Sequence, residues 1–423
     1  MTSVADEASE PDLDGLWATR IAAAAIIGFS VAWVLVNWLV TQGLYGVPAR
    51  VLEVDLFHTY ASNMLAGQVP YRDFAFEYPP LALVPILGPV LLAGTPLTEE
   101  SYRVAFGLFE AATGMITMIF AMRAAIALDL GRRGLIAAAV LVAASPILLG
   151  PLMLARFDLW PALFAAAAVW LFVTDRLHLS AAALGLGILA KVYPVVFLPL
   201  LAFHLWRTRG TDAAVRYGVV VVVVVGLGVL PFLAAGADGV IEAFRRSLIR
   251  PLQVESAGAS VLFALHALAG VRITVVHTFD SYNLSGQLPE LVGTLQTLVL
   301  LAALGAIVWL YVRGATTLGR LVLALGVALC AWVAVGRVFS PQYLIWLIVP
   351  LAVIRARGRW PLHLFAFAGA ILLTGLYYPK FYVDYYDLRQ PLWIAVVVLR
   401  NVVLLVLTVH LIRSLAARDS PTD

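Results

Sequence analysis

Between residues 18 and 413 the chain is a succession of apolar runs, most of them separated by short loops that carry arginine. A run of about 20 apolar residues, at roughly 1.5 Å of helix per residue, crosses the hydrocarbon layer of a bilayer. Inside that layer a backbone must satisfy its own hydrogen bonds, which restricts such runs to helices. The runs cover residues 21–40, 103–123, 134–151, 158–174, 181–206, 214–233, 291–312, 319–336, 341–354, 360–377 and 391–413. Composition agrees, since 62% of residues are apolar, 13% are charged and the mean hydropathy is +0.94, outside the range of soluble domains. The expected fold class is an all-α polytopic membrane protein.

Arginine placement orients the spans. Arg132 and Arg133, Arg176, Arg207 and Arg209, Arg313 and Arg320, and Arg355 fall on one side if the run 181–206 enters the membrane and comes back, with a break at Lys191-Val192-Tyr193-Pro194. By the positive-inside rule that side is cytoplasmic. The count is then about 12 spans with both termini inside. Residues 1–17 read as an acidic cytoplasmic tail, 18–413 as one transmembrane domain and 414–423 as a second tail. Pro80 to Ala93 is too short to span and reads as an interfacial or re-entrant helix.

The opposite face then collects the polar chemistry. It holds the first loop, 43–102, with Glu53, Asp55, His58, Arg72, Asp73 and Glu77; a large loop, 236–290; and Arg337, Gln342 and Tyr343. Lys191 joins them from the helix break, where a charge at membrane depth reads as a site residue. Arg156 and Asp158 are close enough in sequence to pair and settle a helix end. Glu110 and Arg400 lie at similar depth and are expected to touch. No GxxxxGK[ST] loop and no zinc-ligand spacing occurs. The single cysteine, Cys330, allows no disulfide within the chain.

Four blocks resemble a known family. They are Asp55…Tyr60…Gly67…Pro70-Tyr71…Tyr78-Pro79-Pro80-Leu81, Lys191-Val192-Tyr193-Pro194, Arg250-Pro251-Leu252-Gln253-Val254-Glu255-Ser256, and Ser340-Pro341-Gln342-Tyr343-Leu344-Ile345-Trp346. In this order, over residues 50–350, they resemble the GT-C glycosyltransferases that use polyprenyl-phosphate sugars. The pattern is that of glycosyltransferase family 87, which includes the phosphatidylinositol mannoside mannosyltransferases. The first, second and fourth blocks are also similar to those of the enzyme adding the first mannose in glycosylphosphatidylinositol assembly.

The resemblance implies a GT-C-like bundle in the plasma membrane with an extracytoplasmic active site. It implies transfer of a hexose, mannose first among the candidates, from a polyprenyl monophosphate to a glycolipid or glycan hydroxyl, with inversion. Asp55 would be the general base; its simpler role would be to cap the helix that follows. Lys191, Arg337, Gln342 and Tyr343 would hold the donor phosphate. Glu53, His58, Arg72, Glu77, Arg250, Gln253 and Glu255 would line the substrate. The acidic pair Glu53 and Asp55 is no strict DxD, so a metal has no support from the pattern, and no nucleic-acid partner is expected. The alternative reading is a transporter or flippase for a lipid-linked substrate, which the absence of a second copy of the Lys191 break disfavours.

Overall fold

The structure is a computed structural model that describes residues 13–45, 54–94, 96–355 and 361–417. The chain opens with α1 (Leu13–Thr41), then α2 (Val54–Leu65) in the first loop. Pro80 to Ala93 is a broken path: a 3-10 turn over Pro80–Ala82, then α3 (Leu83–Leu87) and α4 (Val90–Ala93). Pro85 and Pro89 deny it the amide donors of a continuous helix. The bundle continues with α5 (Glu99–Ala127), α6 (Gly131–Leu149), α7 (Pro151–Ala155), α8 (Leu159–Val173), α9 (Leu177–Ala190), α10 (Leu198–Arg209) and α11 (Thr211–Leu248). At the start of α5 Thr98 accepts from Ser101 N at 3.1 Å and Ser101 Oγ answers to Thr98 N, the reciprocal pair that opens a helix.

The expected large loop is folded. α11 runs on to Leu248 through Pro231 and a break in helical geometry at Gly236. Then come β1 (Leu252–Gln253), α12 (Ala257–Ala269), β2 (Thr274–Thr278) and β3 (Ser281–Ser285), an antiparallel sheet in the order β1-β3-β2. This small sheet is an addition to the all-α expectation. The rest is α13 (Gln287–Arg313), α14 (Leu318–Val335), α15 (Tyr343–Ala352), α16 (Leu362–Tyr377), α17 (Tyr382–Tyr386) and α18 (Pro391–Ala416).

Seven of these helices are long and apolar enough to cross a membrane: α1, α5, α6, α11, α13, α14 and α18. The expected runs 158–174, 181–206, 341–354 and 360–377 are filled by shorter helices. The core lies around α14 and α15, whose side chains are buried nearly throughout. Apolar side chains of α11 and α13 are mostly exposed, as expected of surfaces that face lipid.

The ends of the bundle differ in chemistry. The Arg123 and Arg176 guanidinium groups sit 5.5 and 5.6 Å from the Trp170 ring, and Arg209 pairs with Asp175 at 2.5 Å. His204 Nδ1 and the Tyr311 hydroxyl share a 2.7 Å hydrogen bond, and Arg320 donates to the Tyr311 carbonyl at 2.7 Å. These contacts gather loops from five helices into one basic end. Ser180 meets Tyr217, and Gly185 and Gly228 lie against Val224 and Leu189, so α9 runs parallel to α11. α10 turns directly into α11 at Gly210, so α9 and α10 run in opposite senses around a break at the far end.

Candidate active site

Lys191 stands at that break. Pro194 has no amide hydrogen and its ring excludes the carbonyl four residues back, which is Ala190, the last residue of α9. Lys191 is therefore extended (φ −164°, ψ 139°), and its side chain reaches Asp158. Nζ lies 2.6 Å from Asp158 Oδ1, with the two side chains 16% and 2% exposed. Trp346 Nε1 donates to the same oxygen at 2.6 Å. Phe157, Trp346 and Tyr343 surround the ammonium at 5.3, 5.3 and 5.8 Å. Trp346 is itself stacked between Tyr193 at 4.2 Å and Tyr343 at 3.9 Å. Asp158 opens α8 without a side-chain bond to that helix: its partner is Lys191, not merely its own helix end.

The first loop reaches this cluster through aromatic contacts. Tyr78 meets Phe157 edge-on at 4.9 Å and accepts at its carbonyl a 2.5 Å hydrogen bond from the Tyr71 hydroxyl. Beside it, burial raises the Glu77 carboxyl above its ordinary range, against the pull of Tyr78, Arg250 and Lys191. Asp280 also acts on Glu77. It occupies the tip of the β2–β3 hairpin with Phe279, both in the left-handed region (φ 50° and 53°), the geometry of a two-residue hairpin turn. The tip is pinned by Arg250, which donates to the Phe279 carbonyl at 2.6 Å, and by Arg246, 5.4 Å from the Phe279 ring. The Tyr60 hydroxyl is raised by burial and feels Glu77, Asp280 and Arg246.

One group thus contains Lys191, Asp158, Glu77, Arg250, Tyr343, Trp346 and the hairpin tip. Arg156, 8% exposed, acts electrostatically on both Lys191 and Tyr343. Asp158, Trp346, Arg156 and Asp280 are members the sequence reading did not assign to the site. Trp346 stood within the fourth block; nothing in the sequence marks Asp280.

Other expected residues are elsewhere. Asp55 is exposed in the first turn of α2, and helix formation from Val54 puts it past the cap position. α2 is tied to the cluster by Phe57, whose ring lies 5.2 Å from Phe157 and 6.1 Å from Tyr78. Glu53 lies outside the described residues. His58 contacts the Leu97 carbonyl at 3.4 Å and the Tyr102 ring edge. Arg72 pairs at the surface with Asp73 at 2.8 Å. That hydrogen bond and one from Val69 N hold the Asp73 carboxyl down to about 2.

Arg337 donates to the Leu248 carbonyl at 2.6 Å, and its own carbonyl accepts from Gln253 N at 3.0 Å. Gln342 accepts from Ser340 within its own turn. Arg337 and Gln253 thus brace the segment around β1. Glu255 is fully buried: Arg400 pairs with it at 3.1 Å, Tyr377 donates to it at 2.6 Å, and Asn401 donates to its carbonyl at 3.0 Å. Its expected place on the substrate is corrected to an internal anchor. The expected Glu110–Arg400 contact is corrected by the same network, because Glu255 occupies Arg400 while both Glu110 oxygens are buried without a hydrogen-bond partner. Among the described residues no three His, Cys, Asp or Glu side chains form a group that could hold a metal ion.

None of the curated proteins matches the chain in sequence. The family model for glycosyltransferase family 87 matches residues 76–341. That stretch holds Glu77, Arg156, Asp158, Lys191, Arg250 and Asp280, and Tyr193 of the ring stack, while Tyr343 and Trp346 lie just beyond it. A helical membrane bundle whose one polar end joins acid, cation and aromatic groups suits transfer of a sugar at the edge of a bilayer, and on the family match this chain belongs to glycosyltransferase family 87.

Proposed function

We propose that the enzyme takes a hexose, mannose first among the candidates, from a polyprenyl monophosphate donor. It attaches the sugar, with inversion, to a lipid or glycan hydroxyl on the extracytoplasmic side of the plasma membrane. The observation that carries this reading is Lys191, an ammonium at a helix break, walled by three aromatic rings and within electrostatic reach of Glu77. A phosphate leaving group needs no proton, because it departs as a stable anion. What it needs is positive charge held in place before the bond breaks. Lys191 supplies that charge, with Arg250 and Arg156 beside it, and the apolar surface of the bundle leaves the polyprenyl chain in lipid.

The remaining requirement is a base for the incoming hydroxyl. Asp55 takes that part in this account. It is exposed on a short helix that Phe57 seats against Phe157, the neighbour of Asp158. The Asp55 carboxylate is open to an acceptor arriving from water or the membrane surface. The acceptor attacks the anomeric carbon on the face away from the phosphate, its proton passes to Asp55, and the C–O bond to phosphate breaks with both electrons going to the phosphate oxygen.

The test is transfer by the purified enzyme from polyprenyl-phosphate-mannose to a panel of glycolipid and glycan acceptors, beside Asp55→Asn. Transfer that falls at least about 100-fold in the variant supports the account. Undiminished transfer removes Asp55 as base. Lipid movement across vesicles without transfer to any acceptor favours a transporter.

A further inference from the structure

We infer that Asp158 is a positioning residue for the donor phosphate: it aims the Lys191 ammonium and is itself held by Trp346. The inference rests on the proposed polyprenyl-phosphate donor and goes beyond it by naming the group that makes Lys191 competent.

Three observations carry it. Asp158 is 1% exposed yet makes no side-chain bond to the helix it opens, so its carboxylate is not spent on capping. The Oδ1 atom accepts from both Lys191 and Trp346 at 2.6 Å. A buried carboxylate that takes two donors on one oxygen is fixed in place, and removing either donor leaves a charge or a dipole unanswered. Finally, the Tyr193–Trp346–Tyr343 stack leaves the indole little freedom to turn. Tyr193 is two residues from Lys191, so the stack ties the helix break to α15 and sets ammonium and carboxylate against each other.

The consequence follows from geometry. Lys has a long, flexible stem and no planar fork to orient it. Lys191 has Phe157, Trp346 and Tyr343 on its flanks and Asp158 at its tip, and 16% of its side chain remains accessible. A phosphate arriving there meets an ammonium already desolvated and oriented by the carboxylate behind it. Without that carboxylate the ammonium is free to fold back against the rings, and donor affinity falls while the chemical step is spared.

The experiment uses the full chain in lipid nanodiscs. Binding of undecaprenyl phosphate and steady-state transfer from polyprenyl-phosphate-mannose are measured for the wild type, Asp158→Asn, Lys191→Met, the double variant and Trp346→Phe. The inference predicts that Asp158→Asn weakens undecaprenyl phosphate binding and raises donor KM by about tenfold or more, with kcat and acceptor KM nearly unchanged. The double variant loses no more than Lys191→Met alone, since one group acts through the other. Asp158→Glu restores part of the binding.

A merely structural Asp158 would lower thermal stability and leave the donor KM of the folded fraction alone, and that result overturns the inference. If Lys191→Met weakens donor binding while Asp158→Asn does not, the positioning role falls and the donor reading stands. If neither variant changes binding, both fall. Should Asp158→Asn not fold, Trp346→Phe decides: it leaves every charge in place, and an unchanged donor KM overturns the inference.

Discussion

Asp175 and Arg209 pair at 2.5 Å, although the whole of α9, the break at Lys191 and all of α10 up to its last residue, Arg209, lie between them in the chain. The pair closes the base of an element that goes in and returns, and it fixes the start of α9 and the end of α10 at one end of the bundle. Lys191, at the turn of that element, is thereby carried to the other end. The functional cluster and the basic loops are separated by this topology alone.

That arrangement predicts a labelling pattern. In right-side-out vesicles, single cysteines replacing Arg176 and Arg209 in a Cys330→Ser background should react with an impermeant maleimide only after the membrane is opened. A cysteine replacing Asp280 should react at once. Labelling of all three from the same side would contradict the reversal at Lys191.

Glu255 lies fully buried against Arg400, Tyr377 and Asn401. Glu255→Gln leaves the Arg400 guanidinium without its counter-charge, and loss of one partner from a buried pair costs about 3–5 kcal/mol. A large drop in the thermal midpoint is expected in detergent, whereas Asp55→Asn, at an exposed position, should move it little. Equal midpoints for the two variants would show that Glu255 is not an anchor.

Gly239 has no room for a side chain, because a Cβ there would overlap the Tyr71 carbonyl oxygen. Tyr71 also donates to the Tyr78 carbonyl, so the contact seats the first loop against the second half of α11. Gly239→Ala should cost about 1–3 kcal/mol through overpacking and reduce transfer by loosening the loop that bears Asp55 and Glu77. Wild-type activity and stability in this variant would mean that the close approach is not needed.

The Glu77 carboxyl gives a pH dependence of definite sign. Burial raises it above its ordinary value, so the folded chain holds this proton at pH values where the unfolded chain, titrating near about 4.3, has released it. Its contribution to stability is therefore lost as pH rises through the window between the two values. Glu77→Gln has no proton to lose, and its thermal midpoint should gain on the wild type as pH increases from 4 upward and then level off. A difference independent of pH would show that burial does not act on this carboxyl.

Much of the architecture was legible in the residues because lipid leaves few choices. Apolar runs gave the helices, and Lys191-Val192-Tyr193-Pro194 gave the break, since proline must end the helix before it. The site was only partly legible. Lys191 could be picked out because a charge at a helix break is costly, but its partner Asp158 looked like a local mate of Arg156. Pairings between α8, α9 and α15 depend on how the helices rotate about their axes, which a near-uniform apolar pattern does not encode. Glu255 was hard to place for the same reason, since a polar residue in a loop can face inward once the loop folds. The β-hairpin that brings Asp280 over the cluster is invisible in composition: Phe279-Asp280 is a weak turn signal beside Asn-Gly or Asp-Gly.

The account stands or falls on where the donor phosphate sits, and the most direct measurement is a cryo-EM structure of the enzyme with undecaprenyl phosphate in nanodiscs. The account predicts phosphate oxygens within about 3 Å of Lys191 Nζ, on the side that faces Glu77 and Arg250, with the isoprenoid chain leaving into lipid. A phosphate bound elsewhere, with Lys191 still closed on Asp158 and no anion beside it, would contradict it.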